Sequence, residues 1–243
     1  MAKTKFLKSQ KKKGGENMKR LMNILLVAAL VLGYVQLCQA DETKTIQIRA
    51  YIPQLTQRLD VAVSKVTVVE GGKDSWVTQS SLAMDFGNLV FDNREYTDTD
   101  GTKKKYNIFR PGTAPGVGAF YYAVDIGVID NTGTAWRLKH IPSNIVGSGG
   151  KNLDYNINVA FAKVKNEGGQ DVETAIQKVA YANSYKEITS TSLEGGWIRI
   201  YYGIASGKKT GTGPDVDATG VVPIDATYPA GEYKGTITLT LTK

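Results

Sequence analysis

The last segment of the chain, Ile237-Thr238-Leu239-Thr240-Leu241-Thr242, alternates apolar and polar residues without interruption. A period of two places every apolar side chain on one face of an extended strand and spreads them around a helix, so only a strand can bury them together. Threonine, β-branched and polar, suits the solvent face of such a strand. The same alternation recurs in short runs at 45–52, 59–69, 82–91, 120–129, 135–141, 155–164, 197–204 and 234–242, separated by clusters of Gly, Asn, Asp and Pro. This is the signature of half-buried antiparallel strands. We therefore expect an all-β chain, and a two-sheet antiparallel β-sandwich, because a single sheet of that width would leave an apolar face uncovered.

Between the runs lie long loops, 93–118, 143–154 and 206–220, rich in Gly, Asp and Thr. They are the expected variable and functional surfaces. Asp130-Asn131-Thr132-Gly133-Thr134 reads as a hairpin turn, since Asn and Gly accept positive φ, and would join 124–129 to 135–141 as antiparallel neighbours. At 171–179 the spacing of Val172, Ile176 and Val179 fits a short helix, while the flanking Gly, Asn and Ser fit a loop equally well. No composition break divides 41–243, which we read as a single domain.

The first forty residues are of a different kind. Met18-Lys19-Arg20 precedes an apolar run from Ile24 to Val35, followed by Gln36-Leu37-Cys38-Gln39-Ala40 and the acidic Asp41-Glu42. A basic start, an apolar core and a small residue before the cut are the marks of a secretory signal peptide, with cleavage expected after Ala40. The run falls short of the roughly 20 residues a membrane span needs. A purine-rich coding stretch suits Gly14-Gly15-Glu16-Asn17, which makes Met18 the candidate start; a long basic leader is the plainer alternative. The expected compartment is exported: periplasm, cell surface or extracellular space.

Export changes the meaning of the net charge of +7. Eight of the 30 basic residues and only one of the 23 acids, Glu16, precede position 41, which leaves 22 of each in 41–243. A formally neutral chain has no extended basic footprint, so nucleic acid is not an expected partner, and a membrane is met only through the cleaved leader. The single cysteine, Cys38, leaves with that leader. The remaining chain has neither a disulfide nor a thiol with which to bind metal or attack a substrate.

Motifs that invite catalytic readings lack their companions. Asp85-Phe86-Gly87 has no Gly-rich loop or catalytic loop to accompany it, and reads as a Gly-assisted bend. Asp98-Thr99-Asp100-Gly101 matches part of a calcium loop, but Tyr96 and Asn107 stand where the first and last acids belong. Asp215-Val216-Asp217 is a no stronger cation site. Gly147-Ser148-Gly149-Gly150-Lys151 lacks the first Gly and the Ser/Thr of a phosphate loop. The only histidine, His140, alternates with Leu138 and Trp136 on one strand face, the position of a packed histidine and not of a catalytic base. We expect no enzyme, no catalytic residue, no metal and no cofactor.

Aromatic residues are the remaining candidates. Trp76, Trp136, Trp197, Tyr201 and Tyr202 are residue types that stack on sugar rings, with Trp136, Trp197 and Tyr201 the chosen stacking set. In 197–202, Trp197, Arg199 and Tyr201 share one face and Ile198, Ile200 and Tyr202 the other. The Ile-bearing face is the expected core, although packing between sheets accounts for the aromatics as well.

Three segments carry a family resemblance. Thr45-Ile46-Gln47-Ile48-Arg49-Ala50-Tyr51-Ile52-Pro53, Leu82-Ala83-Met84-Asp85-Phe86-Gly87-Asn88-Leu89 and Pro229-Ala230-Gly231-Glu232-Tyr233-Lys234-Gly235-Thr236-Ile237-Thr238-Leu239-Thr240 together resemble bacterial fimbrial major subunits and the spore-coat-U-like secretion domain. The resemblance covers the two ends and one early strand. It implies an immunoglobulin- or pilin-like sandwich and a non-enzymatic surface, coat or fimbria-like structural subunit of a bacterial envelope, whose partners are copies of itself or other envelope proteins. It also implies a donor strand whose apolar positions are Ile46, Ile48, Ala50 and Ile52. Main-chain bonds would hold that strand in a neighbour and alternate side chains would fill its groove. Pairing within the same subunit fits the alternation too. The rival expectation is a secreted carbohydrate-binding module with a glycan as partner.

Overall fold

The computed structural model describes residues 56–69, 73–97, 101–112, 120–193, 195–207 and 216–243. All lie in the second of the two units into which the chain divides, Gln54–Lys243. The expected donor residues Ile46, Ile48, Ala50 and Ile52 lie outside the described residues, as does the expected cleavage site after Ala40.

Antiparallel strands dominate, as the alternation predicts. The first half carries β1 (Gln57–Thr67), β2 (Ser75–Thr78), β3 (Leu89–Asp92), β4 (Glu95–Thr97), β5 (Lys103–Lys105), β6 (Ile108–Pro111) and β7 (Phe120–Asp130). The second half carries β8 (Arg137–Pro142), β9 (Val146–Gly147), β10 (Ile157–Glu167), β11 (Gln170–Ala180), β12 (Lys186–Thr189), β13 (Trp197–Ile204), β14 (Tyr233–Lys234) and β15 (Ile237–Thr242). Among the described residues one α-helical turn, α1 (Ser190–Leu193), follows β12. The largest sheet has six strands in the order β11-β10-β13-β7-β1-β2; a second has three in the order β12-β8-β15. The pairs β14-β9, β3-β6 and β4-β5 form two-stranded ribbons.

The main core draws on both larger sheets. Tyr122, Val124 and Ile126 of β7, Val159 and Phe161 of β10 and Ile198, Ile200 and Tyr202 of β13 meet Leu138 of β8 and Ile188 of β12. Ile126, Leu138, Ile200 and Val159 are 0–1 % exposed. Burying each such side chain is worth about 1.5–3 kcal/mol. The alternate residues of the same strands, Tyr121, Ala123, Ala160, Ala162 and Tyr201, form a second small core on the opposite face of the six-stranded sheet. Strands β7, β10 and β13 are thus buried on both faces, which is why apolar and aromatic residues occupy consecutive positions in them.

His140 shows what a buried polar residue requires here. Its Nδ1 lies 2.6 Å from the Ser184 carbonyl oxygen, which can only accept, so Nδ1 carries the proton. Burial pushes its pKa below the usual 6.5, which favours the neutral ring, in which Nε2 accepts from the Tyr202 hydroxyl 2.7 Å away. Burial also raises the Tyr181 phenol, with help from the Asp154 charge, to about 12. His140 is the packed histidine that its strand face implies, and it ties β8 to β13.

Two local expectations are corrected. The turn at Asp130 to Thr134 forms, with Gly133 at φ +68° and Asp130 Oδ1 accepting from the Thr132 amide at 2.8 Å. It does not close a hairpin, however: β7 pairs with β1 and β13, while β8 pairs with β12 and β15 in the other sheet. Hairpin turns and sheet-to-sheet connections use the same residues, and the apolar face of β8 finds its burial across the core. The segment 171–179 is neither helix nor loop. It lies in β11, zipped to β10 through the turn at Gly168 and Gly169, both with positive φ. A β-bulge between Phe161 and Lys163 shifts the register. One inserted residue breaks strict alternation, which is how a strand acquires a helix-like spacing.

The run expected at 82–91 becomes a strand only from Leu89. Upstream, Asp85-Phe86-Gly87 is a bend: Gly87 has φ +63°, Asp85 Oδ1 accepts from its amide at 2.7 Å, and the Tyr122 hydroxyl donates to the Asp85 carbonyl. Phe86 packs against Phe120 and Tyr122.

Candidate functional site

The two larger sheets are unequal in width, and that inequality defines a seam. Ile157, Val159 and Phe161 of β10, Ile198, Ile200 and Tyr202 of β13 and Tyr122, Val124 and Ile126 of β7 are buried, but Leu59 and Val61 of β1, and Val128 opposite Leu59, are only partly so. Across from them Ile237, Leu239 and Leu241 of β15 are also only partly buried, although all three belong to the main core. Burial therefore falls off between β1 and β15. A cavity of about 470 Å³ opens there, lined by Gln57, Arg58, Leu59, Leu241 and Lys243.

Backbone edges follow the same line. β15 pairs through one edge with β8, Ile237 opposite Pro142 through Thr242 opposite Arg137. Among the described residues no strand pairs with its other edge. β1 pairs along its whole length with β7, whereas β2 reaches only Ser64 to Thr67, with one further bond from the Gln79 amide to the Val63 carbonyl at 2.7 Å. Among the described residues, 57–62 have no strand partner on that side. A groove flanked by strand edges, here with Leu59 and Leu241 beside Gln57, Arg58 and Lys243, is an arrangement that can take up an added strand: its main chain bonds to the edge and alternate side chains enter the groove.

The stacking set is distributed over both faces of the six-stranded sheet. Trp136 is 8 % exposed within the main core, beside Leu138. Tyr201 is 4 % exposed in the opposite small core. Trp197 is partly buried, two residues before Arg199, and strand alternation places it with Arg199 and Tyr201. The sequence pairing of Trp197, Arg199 and Tyr201 on one face thus matches the burial of Ile198, Ile200 and Tyr202 on the other. Trp136 does not join them.

What does gather on the outer face is a charged and aromatic cluster centred on Arg199. Its Nε and Nη2 donate to Asp125 on β7 at 2.6 and 2.9 Å, and Nη1 donates to Glu173 on β11 at 2.7 Å. Asp171 stands 3.4 Å from Nη2. Burial works against the guanidinium charge, but the hydrogen bonds to Asp125 and Glu173 outweigh it and hold the proton more tightly than usual. The Tyr201 hydroxyl also donates to Glu173. Burial and that carboxylate raise its pKa. Above the guanidinium lies the Trp76 ring, 4.8 Å from Cζ, with the Tyr201 ring edge-on to it at 6.4 Å between centroids. Nothing in the one-dimensional pattern marks this cluster, because Trp76, Asp125, Glu173 and Arg199 belong to four strands.

The other motifs are structural where they are described. Asp217 is 7 % exposed and accepts from the Ser206 and Gly207 amides and from Asn158 Nδ2, at 3.0, 2.8 and 2.8 Å. Asp98 to Asp100 and Asp215 lie outside the described residues. Gly147 to Lys151 begins in the ribbon β14-β9, where the Tyr233 ring packs directly over Gly147. Comparison with known proteins adds no relative: no family model, no curated protein and no solved structure matches the chain.

Proposed function

We propose that this chain is an exported, non-enzymatic structural subunit: a two-sheet β-sandwich with one strand position open, which assembles by taking the N-terminal strand of a second copy. The observation that carries the reading is the seam between β1 and β15, where Leu59 and Val61 on one strand and Ile237, Leu239 and Leu241 on the other stay partly exposed although all belong to the main core. The main core is covered by the three-stranded sheet and by Leu89 of β3, Phe109 of β6 and Tyr233 of β14, which leaves the line between β1 and β15 for another strand.

The segment preceding the described residues fits that place. Ile46, Ile48, Ala50 and Ile52 set four apolar side chains at every second position. Seven residues in extended form span about 23 Å, against about 20 Å for the six residues of β15. Near-neutral charge in 41–243, 22 bases against 22 acids, offers little repulsion between copies. The leader supports export, and the resemblance to fimbrial and coat-U-like subunits agrees with both.

Size-exclusion chromatography and negative-stain electron microscopy of the full chain and of Ile48→Asp test it. A charge at the centre of the donor strand sets a carboxylate against the apolar side chains Leu59, Val61 and Leu239 in place of an isoleucine, so oligomers or fibres formed by the parent are absent from the variant, whose circular dichroism is unchanged. Equal oligomer distributions in the two proteins contradict the reading. So does a parent that remains monomeric with 46–52 paired inside its own subunit.

A further inference from the structure

We propose that the outer face of the six-stranded sheet, remote from the sealed inner core, binds a neutral saccharide that stacks on Trp76. Trp76 sits opposite Val66 in the β1-β2 register, and Val66 sits opposite Tyr121, so all three share that face. Every residue of β2 is exposed, and Trp76 itself is 44 % exposed. A large apolar ring left half in water on a short edge strand contributes little to any core. Its position is nevertheless defined from below, by the Arg199 guanidinium at 4.8 Å and the edge-on Tyr201 ring, 6.4 Å away between centroids. Arg199 is in turn fixed to Asp125 and Glu173, and Tyr121 reaches up to Asp74 with a 2.9 Å hydrogen bond. A flat aromatic face held rigidly by a sheet is what the apolar C–H face of a pyranose stacks upon, with the ordering cost already met in the free protein.

Polar groups around the ring select the ligand class. Asp125, Asp171 and Glu173 present side chains that are 32, 43 and 24 % exposed. Their oxygens have lone pairs beyond those that Arg199 uses, and such acceptors suit sugar hydroxyl donors. The same three carboxylates repel phosphate, which disfavours nucleic acid and anionic lipid. The same surplus of negative charge would attract a cation, and titration with a lysine-rich peptide separates that ligand from a neutral one. A neutral ring with hydroxyls at its edge stacks on the indole and uses the carboxylate oxygens as acceptors.

Titrating the ¹⁵N-labelled full chain with cellohexaose, laminarihexaose and chitohexaose tests the site. At least one is expected to shift the Trp76 indole N–H resonance saturably while leaving that of buried Trp136 in place. Trp76→Ala weakens the binding at least about tenfold; Trp76→Tyr, which keeps a stacking ring and the fold, restores most of it. Failure of all three sugars to give a saturable shift overturns the proposal. So does undiminished binding in Trp76→Ala, or a shift produced by a lysine-rich peptide and by none of the sugars.

Discussion

Truncating one leucine on each side of the burial gradient separates a sealed core from an open seam. Leu138 on β8 is 0 % exposed and packs in the main core. Leu138→Ala removes a fully enclosed isobutyl group and leaves a cavity that the paired strands β12 and β15 cannot collapse into, a change that costs about 3–4 kcal/mol. Leu241 on β15 faces the same core but lines the 470 Å³ cavity between β15 and β1. With water already at part of its surface, truncation forfeits only part of the transfer energy and creates no new enclosed void, so the cost in the isolated subunit is about 1 kcal/mol. Urea denaturation of the monomeric form measures both, with the slope expected to be unchanged and only the midpoint moving. The two substitutions remove the same atoms, so the ratio of about three reports enclosure alone. Equal destabilisation by Leu138→Ala and Leu241→Ala would mean that the seam is closed in the subunit, and the reasoning would fail.

Three further outcomes follow from particular contacts. Because the folded state keeps His140 neutral, with a pKa below 6.5, the unfolded chain binds the extra proton as pH falls. Stability is whole above about pH 6.5 and drops as pH descends toward the folded pKa; His140→Gln should flatten that part of a thermal-midpoint profile. Arg199→Met leaves Asp125 and Glu173 without their shared partner on a partly screened face, and we expect a loss of about 2–3 kcal/mol in chemical denaturation, with Trp76 fluorescence shifted toward that of a solvated indole. Gly147→Ala would place a methyl 2.5 Å from the Tyr233 ring, so the ribbon β14-β9 should open, visible as faster amide exchange at Tyr233 and Lys234 with the larger sheets unaffected.

How much of this was legible in the sequence depends on the range over which the information acts. Strand identity and facing are local, and alternation read them correctly in β7, β13 and β15: Ile198, Ile200 and Tyr202 do face the core, away from Trp197, Arg199 and Tyr201. Pairing is not local. Asp130 to Thr134 has the chemistry of a tight turn whether the chain returns to the same sheet or crosses to the other, and only the burial of Leu138 and His140 against β13 decides for crossing. The β11 strand was obscured by a bulge, and β2 by being too short and too exposed to show a period. The candidate sites suffer most from this limit. Leu59 and Leu241 are separated by most of the described chain, and the partners of Arg199 come from β2, β7 and β11, so neither the seam nor the outer cluster has a spacing that a sequence motif can capture.

The central claim is that the seam between β1 and β15 receives a strand from another copy. Its most direct test is amide hydrogen exchange on the subunit before and after addition of a synthetic peptide covering 43–53. The account predicts added protection at alternate amides along the free edge of β15, from Ile237 to Thr242, and along 57–62, with no change in β10 or β13 and none with a peptide carrying Ile48→Asp. Unchanged exchange along both edges, or protection that appears elsewhere, would contradict it.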